Sequence, residues 1–111
     1  MEKERSKRIY LGLKAELFSN SKSYLGVIPN LSVNGICLYV ETTPTEIAIN
    51  FASGEKLELK FQTPSGETIN LHCELEWLHI NNNPPDGFTY KMGLEIIESH
   101  SKYREFIKTL L

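Results

Sequence analysis

The sequence predicts an all-β domain of about six antiparallel strands, arranged as a barrel or sandwich and followed by one C-terminal helix. Three observations carry that expectation. Apolar residues recur with a period of two in run after run, and turn-forming residues separate the runs at regular intervals. The period lengthens only at the end of the chain, where apolar residues fall three and four apart.

Each element can be justified in order. Leu11, Leu13, Ala15 and Leu17 alternate with Lys14, Glu16 and Phe18, which reads as a first strand. A polar turn at 19–23 follows, then two further strands at 24–28 and 35–40. Between 42 and 50 the pattern is weak, with Ile47 and Ile49 hinting at a short segment.

After Ser53-Gly54, the residues Leu57, Leu59 and Phe61 alternate with charged neighbours, as a half-buried strand requires. Residues 63–67 (Thr-Pro-Ser-Gly-Glu) have the composition of a tight hairpin loop. In the next strand Ile69, Leu71, Cys73, Leu75 and Trp77 are expected to face inward, with Asn70, His72, Glu74 and Glu76 outward. A longer loop at 81–87, rich in Asn, Pro and Gly, ends it. Phe88, Tyr90, Met92, Leu94 and Ile96 then define a last inward-facing set. Tyr103, Phe106, Ile107 and Leu110 lie on one face of a helix expected over about 99–110, with Ser99 or Ser101 as its N-cap.

A chain of 111 residues fits one domain, and 41% apolar residues supply a core of ordinary size. Residues 1–8 read as a flexible basic arm and 9–111 as the single folded domain. Lys3, Arg5, Lys7 and Arg8 outweigh Glu2 and Glu4, giving the arm a charge of +2 in a chain whose net charge is −2. That balance favours a small anionic partner over a nucleic acid polymer. Cys37 and Cys73 are far apart and lack metal-type spacing, so two reduced thiols are expected. Neither a membrane-spanning run nor a signal peptide is visible, and the expected compartment is the cytoplasm.

Little in the sequence suggests catalysis. His72, His79 and His100 have no metal-ligating spacing, and Glu74 with Glu76 resemble the polar face of a strand. No nucleophile elbow or phosphate-binding glycine loop occurs. The chain is therefore read as a non-enzyme without cofactor or metal. The segment from Pro29 to Ile36 differs in character. Asn30 and Ser32 are two apart, so an extended backbone projects both from one face. Gly35 permits either a positive-φ turn or close approach of a ligand. The same residues also make an ordinary bend.

Asn30-x-Ser32-x-x-Gly35 resembles the [D/N]xSxxG motif of the PilZ domain family, and Arg5-Ser6-Lys7-Arg8 resembles that family's N-terminal arginine motif. Glu76-Trp77-Leu78 and the run from Lys91 to Ile96 are similar to its later strands, so the likeness spans nearly the whole chain in order. The resemblance implies a six-stranded antiparallel β-barrel with a C-terminal helix, acting as a receptor for cyclic di-GMP in bacterial signalling. It assigns ligand contacts to Arg5, Arg8, Asn30, Ser32 and Gly35. Guanidinium forks suit both phosphates and the O6/N7 edge of guanine.

Two departures from the pattern stand out, and one is that the turn has Asn30 where the family more commonly has Asp. The family's arginines are four apart, whereas here Glu4 holds that position and Arg5 lies three before Arg8. The alternative reading is therefore a PilZ-like protein–protein adaptor that has lost the nucleotide, working through residues such as Phe18, Tyr39 or Leu78. A protein partner is expected on either reading, with the chain as monomer or homodimer.

Overall fold

In the computed structural model, residues 7–19, 22–41, 54–82, 88–98 and 101–111 are described. The strands are β1 (Ile9–Ser19), β2 (Lys22–Leu31), β3 (Gly35–Glu41), β4 (Lys56–Gln62), β5 (Thr68–Asn82) and β6 (Phe88–Ile96), and the helix α1 is Ser101–Leu110. They close into one antiparallel barrel in the order β1-β2-β3-β6-β5-β4, with β4 returning to pair with β1. Closure leaves no sheet edge to protect among the described strands. The weak segment at 42–50, the arm residues 1–6, most of the 81–87 loop, Ser99 and His100 lie outside the described residues.

The period-two residues fill the barrel. Leu17, Ile28, Leu38, Leu59, Leu71 and Met92 are fully buried and belong to one cluster. Helix α1 completes it with Tyr103, Phe106 and Ile107. Phe61 on β4 meets both helical rings, edge-on to Tyr103 with centroids 6.3 Å apart and tilted to Phe106 at 6.1 Å. Such pairs add roughly 0.5–1.5 kcal/mol to the burial itself. The helix is thus fixed by its apolar stripe, as its spacing predicts.

Turns follow local chemistry. In the β4–β5 hairpin, Thr63 N–H donates to the Glu67 carbonyl at 2.8 Å, and Glu67 N–H donates to Thr63 Oγ1 at 3.1 Å. Gly66 sits at φ +94°, a conformation that only glycine adopts freely.

Among the described residues, three bulges interrupt the ladders. They lie between Tyr10 and Leu13 on β1, between Val27 and Asn30 on β2, and between Leu75 and Trp77 on β5. The β2 bulge accommodates Pro29, which cannot donate to a regular ladder. The β5 bulge corrects one expectation from the alternation. Leu75 pairs with Leu94 but Trp77 pairs with Gly93, so one extra residue shifts the phase. Trp77 therefore faces outward and is 45% exposed, while Leu78, opposite Met92, turns in against the core. Glu74 and Glu76 are consequently not two steps of one regular polar face.

Candidate functional site

The β2–β3 connection is a tight hairpin. Leu31 and Ile36 form the last pair, and Ser32 N–H donates to the Gly35 carbonyl at 2.8 Å, leaving Val33 and Asn34 at the tip. Four anchors hold this turn. Ser32 Oγ accepts from Gly35 N–H at 3.1 Å. The Ser32 carbonyl accepts from the Tyr103 hydroxyl at 2.6 Å. The Asn34 carbonyl accepts from Ile96 N–H at 2.9 Å. The fourth anchor is Arg8, immediately before β1. Its Nε donates to Asn30 Oδ1 at 3.0 Å and its Nη1 to Ser32 Oγ at 3.1 Å.

One guanidinium therefore ties together Asn30 and Ser32, whose spacing predicted a shared face. Planar fork geometry makes this possible; an ammonium could not span both acceptors in the same way. Ser32 is nearly fully buried, whereas Arg8 is exposed to solvent. Gly35 is close to this group, but not through a positive φ, which among the described glycines only Gly54 and Gly66 adopt. A Cβ at Gly35 would stand 3.2 Å from the Leu94 carbonyl oxygen and 3.6 Å from Arg8 Nη1. A positive φ is thus not the reason for glycine here, and the groups that approach it are the Leu94 carbonyl and Arg8.

Strand register extends the site sideways. Tyr10, Asn30, Cys37, Gly93 and Trp77 occupy one row across β1, β2, β3, β6 and β5. The Trp77 indole lies over Gly93, where any Cβ would collide with Nε1, Cε2 and Cδ1 of the ring. A cleft of about 720 Å³ opens here, and Arg8, Ser32, Gly35, Glu76, Trp77 and Glu95 are among its lining residues. That volume is in the range of small-molecule sites.

The cleft is electrostatically mixed. Arg8 is the one cation among its described lining residues, and Glu76 and Glu95 are carboxylates. An anionic ligand would need more positive charge than Arg8 alone supplies among the described lining residues. Cys37, paired with Asn30 across β2 and β3, has its thiol pushed up by burial, with Lys91 and Arg8 opposing. Cys73 lies inside the barrel, where burial pushes it up to about 12. Both thiols are free and buried. Among the described residues no group of His, Cys, Asp and Glu could hold a metal ion, and His72 and His79 stand exposed on β5.

Of the five residues expected to contact ligand, Arg8, Asn30, Ser32 and Gly35 come together, and Arg5 lies outside the described residues. The alternation of β5 predicts Trp77 in the core, whereas the bulge places it in the cleft. The available signal was Gly93, since a glycine within a strand marks a bulge or a close approach. The spacing of Tyr103 predicts a core position; nothing in it shows that its hydroxyl reaches the turn.

Known proteins agree with this picture. The PilZ domain family model matches residues 2–111. The chain is similar in fold to the Bacillus subtilis inhibitor of motility MotI, also called DgrA, at a TM-score of 0.71 and 19% identity, covering 99% of this chain and 50% of that one. It is similar to the PilZ domain of YcgR from Escherichia coli, solved with c-di-GMP, at 0.73 and 11% identity, covering 98% and 89%. Apo MrkH of K. pneumoniae gives 0.68 and 15% identity, covering 98% and 50%. The chain thus spans about half the length of MotI and MrkH. None of the curated proteins matches. A closed six-stranded antiparallel barrel with a polar β2–β3 turn and an arginine strapped across it defines the class, and the full-length match completes the assignment. The chain belongs to the PilZ domain family.

Proposed function

We propose that this chain is a receptor module for cyclic di-GMP, with the ligand bound in the cleft beside Arg8 and the β2–β3 turn. The observation that carries the reading is the Arg8 guanidinium, held by Asn30 and Ser32 at the mouth of a nucleotide-sized cleft. Those bonds occupy Nε and Nη1 and orient the rest of the fork toward a phosphate or the O6/N7 edge of guanine. Arg5 supplies a second fork from the arm. Trp77 offers a ring on which a base can stack. That solved MrkH and YcgR structures contain c-di-GMP supports the choice of ligand.

The module binds and does not catalyse. Ser32 Oγ has a cation beside it, where a nucleophilic hydroxyl would need a base. Among the described residues no helix is long and apolar enough to cross a membrane; we place the module in the cytoplasm, as monomer or homodimer. Trp77 is the chain's single tryptophan, so its fluorescence reports on the cleft. Titrating cyclic di-GMP should change that emission saturably in the wild-type protein and leave it unchanged in Arg8→Ala. An unaltered emission in the wild-type protein, together with no heat of binding, would overturn the reading. A second reading, the adaptor without nucleotide, is favoured by Glu76 and Glu95 in the cleft and Glu4 in the arm. It predicts a partner whose binding survives both Arg8→Ala and Ser32→Ala.

A further inference from the structure

Two carboxylates, Glu76 and Glu95, share the cleft with Arg8. In a site for an anionic dinucleotide a carboxylate lowers affinity unless it has a donor to bind. Glu95 is the better placed of the two. It pairs directly with Gly35 across β3 and β6, so its stem rises about 5 Å from a position that bears no side chain. A Cβ at Gly35 would stand 3.6 Å from Arg8 Nη1, so the guanidinium borders the same bare spot.

Along β6, Glu95 comes two residues after Gly93 and projects from the same outer face, where the Trp77 ring lies over that glycine. Cation, aromatic ring and carboxylate thus border one patch of cleft floor. Glu76 is instead the extra residue of the β5 bulge, between Leu75 and Trp77.

Guanine carries the donors that Glu95 can use. Its N1–H and N2–H form a double donor edge, to which a carboxylate offers two oxygens side by side. Asn30 is less suited to that edge. Its one acceptor oxygen already takes the Arg8 Nε bond at 3.0 Å, and its amide nitrogen is a donor. Adenine presents a lone pair at N1, which a carboxylate repels. We propose that Glu95 is the guanine-selecting residue of the cleft, accepting from N1–H and N2–H of a base stacked on Trp77 while Arg8 engages phosphate or the O6/N7 edge. This rests on the cyclic di-GMP reading and deepens it: a carboxylate adverse to an anion is the group that reads the base.

Isothermal titration of the intact protein separates base reading from charge, because the two have opposite signs. As a charge alone, Glu95 would repel the ligand, and Glu95→Gln would tighten binding. As a base reader it makes Glu95→Gln bind cyclic di-GMP about tenfold more weakly. The cyclic di-inosine analogue keeps both phosphates and lacks the 2-amino groups. Wild-type protein should bind it about tenfold less tightly than cyclic di-GMP, and Glu95→Gln should narrow that difference. Glu76→Gln removes a charge from the same cleft without touching the base, and should tighten binding. Glu95→Gln should melt no lower than wild type, because Glu74 is its cross-strand neighbour and like charges in that relation destabilise. Three results overturn the proposal while the receptor reading stands: unchanged or tighter binding of cyclic di-GMP in Glu95→Gln, undiminished discrimination against the inosine analogue in that variant, or a loss in Glu76→Gln alone. Absence of binding of either nucleotide by the folded wild-type protein overturns the receptor reading and the proposal with it.

Discussion

The Tyr103 hydroxyl of the C-terminal helix donates to the Ser32 carbonyl at 2.6 Å, across 71 positions of sequence. Ser32 is thereby held on its backbone side from within the core and on its side-chain side by Arg8. Burial favours the protonated phenol and pushes its pKa well above the ordinary tyrosine range, which keeps the donor in place. The β2–β3 turn is part of the packed interior as much as of the surface.

Tyr103→Phe removes that donor and leaves a buried carbonyl unpaired. The expected cost is roughly 1–3 kcal/mol of stability in urea unfolding. Affinity for cyclic di-GMP should also fall, because the turn loses one anchor. Phe106→Ala, which removes packing without touching the turn directly, should cost about 3–5 kcal/mol and change the affinity of the folded fraction less.

Gly93→Ala places a methyl group where the Trp77 ring lies. The ring must leave the floor of the cleft, so the tryptophan emission of the folded variant should shift to the red. An unshifted emission would mean that the ring does not rest on Gly93.

Alkaline stability follows from two buried acids. Cys73 is pushed up to about 12 from 9.0, and Tyr103 is raised above its own 10.0, both by desolvation first. In the unfolded chain both deprotonate earlier, so their stabilising contribution is complete below about pH 9 and is lost as pH rises from there toward 12. Each group contributes a slope of up to ~1.4 kcal/mol per pH unit in that window. Cys73→Val should reduce the slope between pH 9 and 10. The folded protein should also resist thiol reagents at pH 8, since both cysteines are buried and raised.

Arg8→Lys separates charge from geometry. A lysine keeps the cation but cannot reach Asn30 and Ser32 together, so cyclic di-GMP binding should weaken about tenfold or more. Equal affinity would assign Arg8 a purely electrostatic role.

The barrel is legible because period two persists over most of each strand: Leu57, Leu59 and Phe61 alternate with polar and charged residues and are all buried. The helix was legible for the same reason at a different period. What escaped was phase. Nothing in Glu74-Leu75-Glu76-Trp77 marks the extra residue of the bulge, because the alternation runs unbroken through it and only the partner strand sets the shift. The Asn30 and Ser32 pair was readable from spacing, yet the contact each makes with Arg8 crosses more than twenty positions and depends on barrel closure. Gly35 was legible as necessary but not as to why. Its φ and its approach to Leu94 are decided by β6, which local sequence does not contain.

Isothermal titration of cyclic di-GMP into the folded wild-type protein, alongside Arg8→Ala and Ser32→Ala, tests the central claim most directly. Saturable heat in the wild-type protein, reduced at least tenfold in affinity by either substitution, is the result predicted. Absence of heat at high micromolar ligand, or binding that both substitutions leave intact, would contradict it.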